Sequence, residues 1–295
     1  MATRFTSVWP YWGVDDQARP HPWIMVPQNR QNHVLLRDGS GLNVRARVGS
    51  VNITEVTATN PGPSNPFTYA AVNVARRERA RLFCIGGTMP GPATLEAVDA
   101  HGRVQATLDC SVKRQKVVRA AFNFVRDNVG HTTSRSLADT NHWLDVINRI
   151  FLYQANVWVR NVDARWVQVN QNLGRVVRFV SRRLSRQHGI SRAEHEWDDV
   201  IKHANASADW NVFLVWEYEQ DITPNTDNAN AGTLAGNTLC EDKARANPAE
   251  TMAHELGHYL GMDHPTGGNT GNWLMSDASR TGNKIPKEHA NIANP

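Results

Sequence analysis

His254-Glu255-Leu256-Gly257-His258-Tyr259-Leu260-Gly261-Met262-Asp263-His264 is the stretch on which the reading of this chain turns. As a pattern it is H-E-x-x-H-x-x-G-x-x-H. A helix puts His254 and His258 on one face, where both imidazoles can grip one ion. Glu255 lies one step round from His254, within reach of a water on that ion. Gly261 can leave the helix through a left-handed turn, a conformation glycine enters without strain. The turn can then bring His264 back toward the other two histidines. Three imidazoles with one position left open describe a catalytic zinc site rather than a closed structural one. Upstream, Asn247-Pro248-Ala249-Glu250 has the order of a helix start: a capping side chain, a proline in the first turn, then an acid near the positive end of the dipole.

This pattern resembles that of the metzincin clan of zinc endopeptidases. The clan's second hallmark is a tight turn carrying a methionine beneath the zinc. Asn272-Trp273-Leu274-Met275-Ser276 is similar to that turn, with Met275 as its methionine. The resemblance is sharp over 248–276 and looser over about 114–295, where it rests on the order of elements. It implies a zinc ion held by His254, His258 and His264, with Glu255 as general base and Gly261 and Met275 as structural support. It also implies a strand, ahead of the histidine helix, that edges the cleft and pairs with extended substrate. Ala231-Gly232-Thr233-Leu234-Ala235-Gly236 occupies that place, which makes Gly232, Thr233, Leu234 and Ala235 candidate substrate-pairing residues. Such β-addition gives affinity through backbone bonds whatever the peptide's side chains.

Departures from the pattern bear on the subfamily. Pro265 follows the third histidine, as in serralysins, yet the Gly-Asp-rich calcium repeats are missing. Asp277 stands where some members carry a zinc-approaching tyrosine, so no tyrosine ligand is expected. The Pro-Arg-Cys-Gly run of matrixin propeptides does not occur. The resemblance therefore extends to the clan and to no named subfamily.

At 295 residues the chain has room for one large or two modest domains. An apolar fraction of 40% supports a packed core. From 34 to 112, short apolar runs cut by Gly and Pro read as strands: Val34 to Leu36, Leu42 to Val48, Ile53 to Thr59, Tyr69 to Ala75, Arg81 to Ile85, Ala93 to Val98 and Val104 to Val112. Asp38-Gly39-Ser40-Gly41 marks a turn, and Asp99-Ala100-His101-Gly102 the last hairpin. The expectation is an α+β protein. Residues 1–112 form an immunoglobulin-like β-sandwich of about seven strands with a Trp- and Pro-rich leader. Residues 113–295 form a metzincin-like domain with a mixed sheet, a long active-site helix, the methionine turn and a closing helix over Ile285 to Ile292. Trp9, Tyr11, Trp12 and Trp23 wrap onto a domain surface, or offer a carbohydrate platform. Helices are expected from Val117 to Val125, over about 138–154 and from Arg175 to Gln187, with strands over Asn156 to Val162, Trp166 to Val169 and Trp210 to Tyr218.

Charge and cysteines narrow the partners. The net charge of +4 is modest. Arg175, Arg178, Arg182 and Arg186 line one face of an expected helix, but no aromatics interleave with them, so the stripe reads as a solvated face and no nucleic-acid partner is expected. No stretch approaches the roughly 20 apolar residues of a membrane span. Asp221, Asn225, Asp227 and Asn228 can ligate Ca2+, although their spacing matches no EF-hand loop. Cys84 and Cys110 either pair across a sheet or stay as buried thiols. Cys240 reads as a small buried residue, with inhibitory zinc ligation as the sharper alternative.

The implied reaction is hydrolysis of peptide bonds in protein or peptide substrates by a zinc-activated water. The other reading is a binding or delivery protein in which the N-terminal domain carries the function and the zinc site is structural or inactive. Met1 to Pro20 lacks a basic start followed by an apolar run. The expectation is a monomeric effector or toxin secreted by a specialised bacterial route, with secretion machinery or a surface partner engaging the N-terminal domain. A cytoplasmic protein is the alternative.

Overall fold

The computed structural model describes residues 2–8, 13–57, 72–73, 75–77, 80–178, 196–219, 231–234, 236–242, 248–266, 271–276 and 282–295. The chain divides into two compact units. One comprises Met1–Lys116, Arg149–Trp158 and Asn283–Pro295; the other comprises Val117–Asn148 and Val159–Gly282.

The first unit holds β1 (Arg4–Thr6), β2 (Trp23–Pro27), β3 (Gln31–Arg37), β4 (Asn43–Val48), β5 (Val51–Val56), β6 (Arg81–Gly87), β7 (Gly91–Val98) and β8 (Val104–Lys113). They form two four-stranded sheets, ordered β1-β3-β6-β5 and β2-β8-β7-β4. Strand β2 runs parallel to β8, and β7 and β8 are antiparallel. Side chains alternate across a strand. Val34 and Leu36 of β3 and Phe83 and Ile85 of β6 thereby join Ile24, Val26, Leu95 and Leu108 of the second sheet in one buried cluster. The Asp38-to-Gly41 turn leads from β3 to β4, which belong to different sheets, so it carries the chain from one sheet to the other. Asp99-Ala100-His101-Gly102 closes the β7–β8 hairpin, with Gly102 at φ 77° donating its N–H to Asp99 O at 3.0 Å.

Two expectations change here, and one open alternative is decided. Trp23 is no surface aromatic: it is 1% exposed in β2, and its Nε1 donates to Ser111 Oγ at 3.0 Å. Trp9, Tyr11 and Trp12 lie outside the described residues. Within the expected strand from Tyr69 to Ala75, the described residues 72–73 and 75 are helical. The alanines and arginines from Ala75 to Ala80 favour a helix over a pleated surface. Cys84 and Cys110 are both free and buried, as is Cys240. Burial pushes the Cys84 thiol up to about 11 and the Cys110 thiol higher still.

The chain's last helix, counted below as α4 (Lys287–Ala293), also lies in this unit, with Pro286 at its N-cap as expected. Its C-terminal carbonyls, which have no partner inside the helix, accept from two lysines. Lys116 Nζ donates to Ala293 O at 2.8 Å and Lys113 Nζ to Asn294 O at 2.5 Å.

The second unit is built on a five-stranded sheet of β9 (Lys116–Arg126), β10 (Val157–Gln168), β12 (Trp210–Val215), β14 (Ala231–Leu234) and β15 (Asn237–Glu241). Their order is β10-β9-β12-β15-β14. Strand β12 runs parallel to both β9 and β15, and β14 is antiparallel to β15 at the edge. A two-residue strand, β11 (Val177–Arg178), pairs with β13 (Tyr218–Glu219). Helices α1 (Thr140–Ala155), α2 (Glu196–Val200) and α3 (Pro248–Tyr259) complete the set. Residues of α1 belong to both units.

The helix expected from Val117 to Val125 is instead the strand β9. Residues from Ala120 to Val125 are all buried, because β9 lies inside the sheet and is covered on both faces. Phe124 stacks on Trp143 of α1 (ring centroids 6.1 Å apart), while Val125 joins the cluster of Val167, Phe213 and Leu239. A strand covered on both faces loses its alternation, and a continuous apolar run then reads equally well as a helix. The two strands expected between Asn156 and Val169 are one, β10. Of the helix expected from Arg175, the described residues Val177 and Arg178 are extended, and 179–195 lie outside the described residues. No helix among the described residues is long and apolar enough to cross a membrane.

Candidate metal centre

Helix α3 begins at Pro248, whose missing N–H costs nothing in a first turn. Asn247, the expected cap, lies outside the described residues. Ala249, Met252, Ala253 and Leu256 are buried, while His254 and His258 are half-buried. The helix ends in two reciprocal bonds: Met262 N–H reaches Gly257 O at 2.9 Å, and Gly261 N–H reaches His258 O at 3.0 Å. Gly261 sits at φ 89°, the left-handed conformation that this helix stop requires. The reversal carries His264 back over the helix.

The three imidazoles converge. His264 Nε2 stands 3.1 Å from His254 Nε2 and 3.0 Å from His258 Nε2. Two carbonyls decide the tautomers. His254 Nδ1 lies 2.7 Å from Leu274 O, and His258 Nδ1 lies 3.1 Å from Met262 O. A carbonyl only accepts, so both Nδ1 atoms carry the proton and both Nε2 atoms present a lone pair. Lone pairs aimed at one point repel unless a cation or a shared proton lies between them. Tetrahedral zinc with Zn–N bonds of about 2.0–2.1 Å holds its nitrogens roughly 3.3 Å apart, close to the spacing seen. The donor set and its separation therefore fit zinc. Among the described residues this is the one cluster that could hold a metal ion.

The turn carrying Met275 lies directly beneath. Met275 is fully buried, and Ser276 N–H closes the turn onto Trp273 O at 3.1 Å. A Cβ on Gly257 would stand 2.3 Å from Met275 Sδ, so the helix can rest on this methionine only because residue 257 has no side chain. A Cβ on Gly282 would stand 2.1 Å from Trp273 O. Two glycines thus set the close packing of helix and turn. Neither was singled out in the sequence, although a glycine inside a helix, at a cost of about 1 kcal/mol relative to alanine, is a signal of close approach.

Glu255, next to His254 on the helix, is 5% exposed. Burial pushes its carboxyl up from 4.5 to about 7, against the pull of a hydrogen bond from Thr233. Thr233 Oγ1 lies 2.6 Å from Glu255 Oε2. It also lies 2.6 Å from Thr238 Oγ1, which accepts from Trp210 Nε1 at 2.8 Å. The β14–β15 register places Thr233 directly opposite Thr238. None of these contacts follows from the sequence pattern.

No family profile matches the sequence. No curated protein matches it either. Among solved structures, the archaemetzincin of Methanopyrus kandleri is similar at a TM-score of 0.37 and 11% identity, over 61% of this chain and 93% of that chain. A score that low does not establish a shared fold.

The remaining candidate residues divide as follows. Gly232, Thr233 and Leu234 lie in β14, at the sheet's edge, paired with Leu239, Thr238 and Asn237. Ala235 and Asp277 lie outside the described residues, as do all four candidate calcium ligands, Asp221, Asn225, Asp227 and Asn228. Cys240 is fully buried in β15, and burial pushes its thiol up to about 12. It does not join the cluster of His254, His258 and His264, so Cys240 is a packed core residue and no inhibitory ligand.

Proposed function

We propose that this protein is a zinc-dependent endopeptidase of metzincin type. The convergence of His254, His258 and His264 Nε2, with Glu255 next to His254 on the same helix, carries the reading. Zinc bound there would lower the pKa of its water and polarise a scissile carbonyl. Glu255 takes the proton of the attacking water and delivers it to the nitrogen of the leaving amine. Burial raises the carboxyl's affinity for protons, which favours its taking that proton before it delivers it. The Leu274 and Met262 carbonyls hold His254 and His258 in the tautomer that leaves Nε2 free to ligate. The side of β14 that no described strand pairs offers backbone groups to an extended peptide, so substrate is held mainly by main chain. Glu255 separates this reading from a purely structural zinc site, which has no use for a buried carboxylate next to its ligands.

The immunoglobulin-like reading of residues 1–112 belongs with this proposal. The orders β1-β3-β6-β5 and β8-β7-β4 support it, since they follow the ABED and GFC sheets of that fold, with β2 added beside β8. In this reading the domain delivers or anchors the protease. A secreted effector in which that domain engages secretion machinery or a surface partner is the role we attach to it.

Cleavage of denatured protein and of a mixed peptide library, read by mass spectrometry, tests the activity. Cleavage that a chelator abolishes and added zinc restores is expected. Cleavage indifferent to the chelator would overturn the proposal.

A further inference from the structure

Resting on the peptidase reading, we propose that Thr233 is a positioning residue that orients the Glu255 carboxylate, and that its hydroxyl is itself oriented by a relay from Trp210 through Thr238. The direction of the relay follows from its two ends. An indole N–H can only donate, so Thr238 Oγ1 is an acceptor toward Trp210 at 2.8 Å. At the other end an ionised carboxylate only accepts, so Thr233 gives its one proton to Glu255 Oε2 at 2.6 Å. Thr233 Oγ1 can then only accept from Thr238 Oγ1, which stands 2.6 Å away with its own proton free to donate. The three bonds thus point one way, toward the carboxylate.

Each member is placed by a different part of the fold. Trp210 opens β12 and is fully buried, as is Thr238 in β15. The antiparallel register sets Thr233 across from Thr238, while α3 lays Glu255 against β14. The same Thr233 Oγ1 lies 3.2 Å from the Glu255 main-chain carbonyl, a longer second acceptor for the same proton. No hydrogen bond from the described residues reaches Oε1. With Oε2 occupied by Thr233, Oε1 is the oxygen left to meet the attacking water. A carboxylate held at one oxygen keeps the other in a fixed place, which is the orientation a proton acceptor needs. The edge strand therefore has two tasks: its backbone faces substrate, and one of its side chains aims the base.

Thr233→Val keeps the branched shape and the strand preference but removes the hydroxyl. Its kcat should fall about tenfold to a hundredfold, the worth of one hydrogen bond to a charged group, with KM held within about twofold. Thr233→Ser should restore most of the loss. Zinc content and melting temperature report whether either variant is misfolded. Crystal structures of the zinc-loaded wild type and Thr233→Val, without substrate, supply a readout independent of turnover. The wild type should show Oε2 on Thr233 Oγ1, and the variant a rotated or divided carboxylate. An unmoved carboxylate in Thr233→Val would overturn the proposal. So would a rise in KM alone, or a Thr233→Ser variant as slow as Thr233→Val. Failure of the wild type to cleave any peptide would sink the peptidase reading, while the crystal structures would still decide what Thr233 does to Glu255.

Discussion

Leu274 O accepts a hydrogen bond from His254 Nδ1 at 2.7 Å, and this bond ties the first histidine to the turn that carries Met275. The turn does more than fill space under the site: it fixes the tautomer of a candidate ligand. Anything that shifts the turn should therefore be felt in metal affinity. Gly282 packs on the backbone of that turn, where a Cβ would stand 2.1 Å from Trp273 O. A backbone oxygen cannot swing aside as a side chain can. Gly282→Ala should weaken zinc binding about 10–100-fold, the usual effect of disturbing an outer partner of a ligand. Competition with a chromogenic chelator measures it, and wild-type affinity in this variant would show that the turn does not govern His254.

Met275 separates packing from ligation. Met275→Leu nearly conserves volume and should cost less than about 1.5 kcal/mol of stability. Met275→Ala opens a cavity under the helix and should cost about 2–5 kcal/mol. Chemical denaturation of the zinc-loaded proteins compares them. Equal stabilities would mean that the methionine is not packed as seen here.

His264 reaches the site only through the reversal at Gly261. His264→Ala should lose more zinc affinity than Gly282→Ala, because it removes a ligand rather than a ligand's partner. Gly261→Ala, strained at φ 89°, should lower affinity as well by misdirecting that ligand. Both are read by the same chelator competition, and an undiminished affinity in His264→Ala would reassign the third ligand.

The buried Glu255 makes the stability of the metal-free protein depend on pH. Its carboxyl titrates near 7 in the folded protein, against 4.5 ordinarily, because burial disfavours the charge. Between those values the folded state binds more protons than the unfolded one, so stability falls as pH rises. Glu255→Gln removes that dependence. Glu255→Gln and wild type should be equally stable below about pH 4.5, diverge up to about pH 7, and stay apart above it by about 3 kcal/mol in favour of Gln. Denaturation of the metal-free proteins at several pH values checks this, and a gap that narrows with rising pH would contradict the account.

The histidine cluster was legible in the sequence because its geometry is local. His254, Glu255 and His258 share one helix, and Gly261 alone turns the chain back to His264. The turn at Met275 was legible only through resemblance, since a lone methionine is ordinarily core filler. What pattern could not show is what depends on register across the sheet. Thr233 meets Glu255 only because β14 pairs with β15 in one particular alignment. The strand β9 was hidden for a related reason: neighbours on both sides bury both of its faces, and the alternation that marks a strand disappears. Trp23 reads as a surface aromatic because a buried strand inside a Pro-rich leader has no period to reveal it.

Zinc content and endopeptidase activity, measured side by side on wild type and Glu255→Gln, test the central claim most directly. The account predicts about one zinc per chain in both proteins, with peptide cleavage by the wild type alone. Zinc in both with equal cleavage by both would remove Glu255 from the chemistry and contradict the account.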